Sequence, residues 1–217
     1  MLRRDESKSL LFTLFSVLVV VSNILSGRVI RTPFVLFDSQ VLLPGSAFVY
    51  LLTFVVSGLV NELYGQDEAK KCVKYGLINQ ILALFLFFTT GLLPANDAEF
   101  QKAYQTVLGT NFVFVLADIV SGFTAQFLNV FLFPLIKKYK VKNKGLANCI
   151  SILASQLFDT VVFLTASFGL GLGYLFTEVG RKSLCTMVVG QYLIKIIVCT
   201  LSIPFFNKLT RKKENTR

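Results

Sequence analysis

Histidine is absent from the 217 residues, which removes the commonest general base and the commonest metal ligand together. Charge is scarce: 16% of the residues are Asp, Glu, Lys or Arg, where a soluble domain carries about 25%. The four cysteines, Cys72, Cys149, Cys185 and Cys199, show no C-x-x-C spacing. Neither a disulfide framework nor a zinc site is expected, and the cysteines read as small buried apolar residues. No G-x-x-x-x-G-K-[ST] run occurs, so the chain has no P-loop of its own. With no metal cluster and no serine–base arrangement, an enzyme is not expected, nor is a cofactor or a metal site.

What is abundant is apolar surface. Hydrophobic residues make up 54% of the chain and the mean hydropathy is +0.66. Apolar stretches near the ~20 residues that cross a bilayer occur at 10–26, 46–63, 73–93, 110–136, 146–174 and 184–206. The expected fold class is an all-α membrane protein: one domain, 1–217, of six transmembrane helices. Pro44, Pro94, Pro134 and Pro204 lie at or near segment ends, where a missing N–H does least harm. The first run follows Arg3, Arg4 and Lys8 but is long for a signal-peptide core, and no A-x-A-like site follows it. It is expected to stay as a helix.

Basic residues set the orientation. Sixteen of the 22 Lys and Arg fall on one side of the six spans: Arg3, Arg4 and Lys8; Lys70, Lys71 and Lys74; Lys137, Lys138, Lys140, Lys142 and Lys144; Lys208, Arg211, Lys212, Lys213 and Arg217. Arg28, Arg31, Lys102, Arg181 and Lys182 fall on the other. The positive-inside rule then makes both termini cytoplasmic. It also accounts for the net charge of +10 without nucleic acid, the basic loops meeting lipid headgroups instead. Of the outer connections, 28–43 is rich in β-branched and aromatic residues and reads as a short extracellular hairpin or cap turning near Asp38-Ser39. The stretch 95–108 places Phe100, Tyr104 and Leu108 on one face and reads as an interfacial helix. Gly169, Gly171 and Gly173 end the fifth span; close helix packing or a kink is expected there.

Polar groups inside a span are expensive, and so are candidate functional residues. Asp118, Asp159 and Lys195 lie well inside, joined by Asn23, Gln126, Asn129, Gln156 and Gln191. The fourth and fifth spans share a pattern, Gln126-x-x-Asn129-x-x-x-Phe133 and Gln156-x-x-Asp159-x-x-x-Phe163. Spacings of 3 and 7 put each set on one helical face. Gln126 lies roughly 16 Å from Lys137 along its helix and Gln156 roughly 18 Å from Lys144, so the glutamines are level near mid-membrane. Gln191 and Lys195 share a face, and Asp159 is level with Lys195, which favours an ion pair. Interhelical hydrogen bonding alone would explain any one of these residues. As a set, amides, a carboxylate and flat aromatic faces match a planar, purine-like heterocycle with several N–H and C=O groups.

Glu62-x-Tyr64-Gly65 with Ala69-Lys70-Lys71, the early Ser22-Asn23-Ile24-Leu25, and Ser155-Gln156-x-x-Asp159-Thr160-x-x-Phe163 resemble the queuosine precursor transporter family, also described as vitamin uptake transporter-like. Gln191, Lys195 and Pro204 resemble its last helix. The resemblance implies a six-helix protein of the bacterial inner membrane that imports 7-deazaguanine bases such as queuine, preQ0 or preQ1 for tRNA modification. Carried over, it places Asn23, Glu62, Gln156, Asp159, Gln191 and Lys195 along the path, and Gln126 and Asn129 with them. Phe133 or Phe163 would stack on the base, and Glu62 would gate or couple protons. The chain departs from the family pattern at Gly58, where an acidic residue is usual, at Ala147 before Asn148, where Arg is common, and at Asn129, where many members have Asp. Fewer buried charges suit a different precursor preference. The expected partners are a small purine-like substrate and membrane lipid, with a homodimer compatible and no nucleic acid. The alternative class is the substrate-binding subunit of an energy-coupling-factor vitamin importer, which needs a separate ATPase.

Overall fold

The computed structural model describes residues 4–26, 28–36, 39–108, 112–139, 141, 143–171 and 173–214. Six long apolar helices cross the bundle: α1 (Arg4–Ser26), α2 (Ala47–Tyr64), α3 (Gln66–Gly91), α5 (Phe112–Lys138), α6 (Lys144–Leu164) and α7 (Glu178–Glu214). The shorter α4 (Ala98–Leu108) joins α3 to α5. Strands β1 (Val29–Leu36) and β2 (Ser39–Pro44) pair antiparallel between α1 and α2. Six crossings bring Arg4 and Glu214 to one end, the terminal end, and the strands to the other, the hairpin end.

The six spans, the strand pair at 28–43 and the helix within 95–108 all match the sequence reading. The expected turn at Asp38 lies outside the described residues. Pairing runs from Val29↔Pro44 to Arg31↔Leu42 and resumes at Val35↔Gln40. The irregular stretch contains Pro33, which has no N–H for a ladder. In α4, Tyr104 donates from its hydroxyl to the Phe87 carbonyl at 3.0 Å and Gln101 from its amide to the Gly91 carbonyl at 2.9 Å, pinning α4 to the end of α3. Past Leu164 the fifth span widens into a π-turn (Thr165–Leu170) closed by Gly171 N–H to the Ala166 carbonyl. Gly173 adopts φ +75°, a left-handed conformation that glycine takes without penalty. The glycine run is therefore a bend.

The prolines and one cysteine add detail to the sequence reading. Pro134 and Pro204, near the ends of their apolar segments, are still inside α5 and α7. A membrane helix tolerates proline when neighbouring side chains take up the freed carbonyl. For Pro134 that carbonyl belongs to Val130, four residues earlier. It accepts from the Asn61 amide at 2.8 Å and from Gln66 at 3.5 Å. Cys72, Cys149 and Cys199 are buried as expected, whereas Cys185 is exposed, because it shares the outward face of α7 with Val189, Leu193 and Ile197 while its neighbours Leu184 and Thr186 are buried.

Helix α2 is the axis of the bundle, buried along its length from Thr53 to Asn61. One apolar cluster joins it to α5, α6 and α7 around Phe54, Phe133, Ile152 and Phe206; another joins it to α1, α3 and α5 around Phe15, Val60, Val73 and Val130. Close approach uses missing side chains. The Phe15 ring occupies the space a Cβ on Gly76 would fill, and the Asn148 amide does the same at Gly58.

Candidate functional site

Helices α2, α5, α6 and α7 carry polar side chains in three layers. At the terminal end, Glu62 of α2 is bound by Lys137 of α5 at 2.5 Å and Lys144 of α6 at 3.0 Å. The Glu62 side chain is only 7% exposed, so it clamps three helices where the basic loop enters the bundle. Phe133 lies nearby, edge-on to Phe206 with ring centroids 6.0 Å apart, and with the Lys137 ammonium 5.6 Å from its ring centre. It packs α5 against α7 at this end.

The middle layer joins α2 and α5. The Gln126 amide donates to the Thr53 hydroxyl at 2.5 Å, and its carbonyl accepts from Ser57 at 3.1 Å. Asn129 donates to Ser57 at 3.4 Å and accepts from Ser151 of α6 at 2.7 Å. Both amides therefore hold helices together, which is the packing role that amides often fill in membranes. Asn129 meeting Ser151 on an antiparallel neighbour sets Gln126 close to the level of Gln156, as the rise per residue requires.

Toward the hairpin end the layer is ionic. Lys195 of α7 donates to Asp159 of α6 at 3.1 Å and to the Thr160 hydroxyl at 2.7 Å. Each charged residue is 6% exposed, and the shared hydrogen bonds offset part of the cost of burying them. Asp118 of α5 lies within electrostatic reach of both and accepts from Gln80 of α3 at 3.4 Å. The Tyr50 hydroxyl is buried beside Asp159 and Asp118 without a completed hydrogen bond, in the space left by Gly122. Two carboxyl groups face one lysine here, so the layer favours donors and positive charge. Tyr50, Gln80, Thr53 and Ser57 did not stand out in the sequence. Gln80 was detectable as an amide deep in an apolar span, whereas the other three are ordinary residues there.

Between the middle and ionic layers lies Gln156, 0% exposed, with neither its amide nitrogen nor its oxygen bonded. Such a group costs about 1–3 kcal/mol to leave unpaired in a dry interior. Gln156 precedes Asp159 by three residues, so the free amide and the ion pair share a face of α6. Of the remaining candidates, Gln191 is half-buried one turn before Lys195, and Phe163 is half-buried one turn beyond Asp159. Asn23 is half-buried on α1, with its amide nitrogen 3.4 Å from the Val19 carbonyl of its own helix. The structure thus brings Gln156, Asp159 and Lys195 together, ties Gln126 and Asn129 into helix contacts, and sets Glu62 and Phe133 apart at the terminal end. Among the described residues there is no group of His, Cys, Asp and Glu arranged to hold a metal ion.

Residues 44–208 match the family model described as "putative vitamin uptake transporter". The match covers α2 through most of α7. A relative from Bacillus subtilis (strain 168), named "probable queuosine precursor transporter", is 29% identical over 162 residues, covering 72% of this chain and 67% of the relative. No solved structure matches. A multi-pass helical bundle with its polar residues buried inside it and a family match over most of its length lead to one assignment: the chain belongs to the vitamin uptake transporter family.

Proposed function

We propose that this protein imports 7-deazaguanine precursors of queuosine across the bacterial cytoplasmic membrane as a single six-helix domain, with the terminal end facing the cytoplasm. The orientation rests on the concentration of Lys and Arg at that end. The observation that carries the substrate reading is Gln156. Its donor and acceptor are both buried and unbonded beside the Asp159–Lys195 pair. A deazaguanine offers N–H and C=O groups along one edge, and a primary amide can meet such an edge with two hydrogen bonds. Asp159 accepts from the amine and ring N–H groups, and Lys195 is its buried counterion. Phe163 supplies a stacking face. The curated relative's name agrees with this cargo.

Cargo binding would take Asp159 partly away from Lys195. Because a ligand shifts a conformational equilibrium only through differential affinity, that exchange is the link between occupancy and motion. In this reading the Glu62 clamp lies on the cytoplasmic side and has to open for release.

The test is a thermal-shift panel on the purified protein with queuine, preQ0, preQ1, guanine and a set of vitamins. Selective stabilisation by a 7-deazaguanine is expected, with the shift lost in Gln156→Leu while the apo protein keeps its melting temperature. A shift with an unrelated vitamin and none with any 7-deazaguanine would overturn the assignment.

A further inference from the structure

The described interior holds a second amide in the same condition as Gln156. Asn148 of α6 is 1% exposed, and both its amide nitrogen and its oxygen are without partners. The other buried amides named above all find partners: Gln126 and Asn129 across α2 and α6, Asn61 on the Val130 carbonyl, and Gln80 on Asp118. Gln156 and Asn148 do not, and both lie on the buried side of α6. Eight residues separate them, about 12 Å along the helix. Ser151 and Ser155 lie between them on the same side.

The surroundings of Asn148 set it apart from packing amides. Its side chain rests directly on the α2 backbone at Gly58, in the space where any other residue would place a Cβ. It therefore touches α2 without bonding to it. Lys144 precedes Asn148 by one turn, and Glu62 follows Gly58 by one turn, so the Asn148–Gly58 contact lies one layer inside the Glu62–Lys144 ion pair. A free amide-reading group thus sits just behind the closed cytoplasmic clamp.

We propose that Asn148 is a second, release-side station for the planar lactam cargo that Gln156 first holds, reached along α6 and emptied when the Glu62 clamp opens. The proposal rests on the transport reading above. Each amide can present one donor and one acceptor to the same edge of the cargo, so the cargo moves between two equivalent hydrogen-bonding partners with the serine hydroxyls between them. Gly58 lets the Asn148 amide lie directly on the α2 backbone, so this contact must part for the cargo to pass.

The experiment compares the unaltered chain with Asn148→Leu. It measures the melting temperature, equilibrium binding of tritiated preQ1 by the purified protein, and uptake of the same compound by cells lacking their own importer. Asn148→Leu is expected to melt no lower than the unaltered chain and to bind within threefold of it, while uptake falls at least tenfold. Uptake within twofold of the unaltered chain overturns the station while leaving the substrate reading standing. Binding that falls in proportion to uptake also overturns it, since Asn148 would then belong to a single site with Gln156. Absence of preQ1, preQ0 and queuine binding by the unaltered chain overturns the substrate reading and the station with it. Where the leucine variant does not fold, Asn148→Ser, which removes the amide without adding bulk, is scored by the same criteria.

Discussion

Separating the Asp159–Lys195 pair should be costly in a way that depends on which partner is removed. The two groups are 3.1 Å apart and 6% exposed each, so neutralising one leaves the other buried without its counterion. Breaking a buried pair from one side costs about 3–5 kcal/mol, roughly two to three and a half orders of magnitude in the folding equilibrium. The third charge makes the two single variants unequal. After Asp159→Asn, Lys195 retains the Thr160 hydroxyl and the field of Asp118. After Lys195→Met, two buried carboxyl groups face each other with the Lys195 ammonium gone. Lys195→Met should therefore lie at the upper end of that range and Asp159→Asn at the lower end. The double variant, with neither charge, should recover most of the loss. Reversible unfolding in mixed SDS micelles, followed by circular dichroism, gives the four free energies of the cycle. Uptake of a labelled 7-deazaguanine should stay abolished in the double variant although stability returns. Single variants within about 1 kcal/mol of the starting protein, well below that range, would refute this account of the layer.

Other perturbations test the remaining contacts. Glu62→Gln removes both ion pairs of the clamp, and mass spectrometry should find Cys149, buried behind it, alkylated several-fold faster; an unchanged rate would mean that the clamp does not seal that side. Asn61→Ala leaves the Val130 carbonyl without its 2.8 Å partner and should cost about 1–3 kcal/mol, but much less in a Pro134→Ala background, where a restored N–H satisfies that carbonyl; equal costs in both backgrounds would contradict the coupling. Gly76→Ala must displace the Phe15 ring and should destabilise by about 1–3 kcal/mol, read as a fall in melting temperature.

Depth along each span was legible in the sequence; rotation about each helix axis was not. Residue counts from the flanking lysines at 1.5 Å per residue set Asp159 level with Lys195 and Gln126 near Gln156, and the structure agrees. Whether an amide faces a ligand or a neighbouring helix depends on what stands opposite, and that is decided by tertiary packing. Gln126 and Asn129 carry the same chemistry as Gln156, yet Thr53 and Ser57 of α2 claim them. Nothing in the repeat foretells that its second copy lacks such partners. Phe133 and Phe163 occupy equivalent repeat positions, but Phe206 takes the first into a packing contact. The clamp was half visible: Glu62 and the basic loop were both evident, and only their meeting required the fold. For Pro134 the sequence shows the lost N–H but not Asn61 waiting for the carbonyl it frees.

That carbonyl has a mechanical consequence. A proline inside α5 gives α2 a fixed attachment point on its neighbour's backbone, and with the Gln126–Ser57–Thr53 bonds it pins the two helices at successive heights. Two rods joined at several heights cannot roll or slide against each other without losing every joint together. On the other side, α6 and α7 are laced by Lys195 to Asp159, Tyr192 to the Leu153 carbonyl, and Asn207 to Gly145. The seam between these two lashed pairs is held by Asn129–Ser151 and by Glu62–Lys144. Under the transport reading proposed above, each lashed pair would move as one body, and the contacts that have to part between them are Asn129–Ser151, Glu62–Lys144 and the Phe133–Phe206 ring contact.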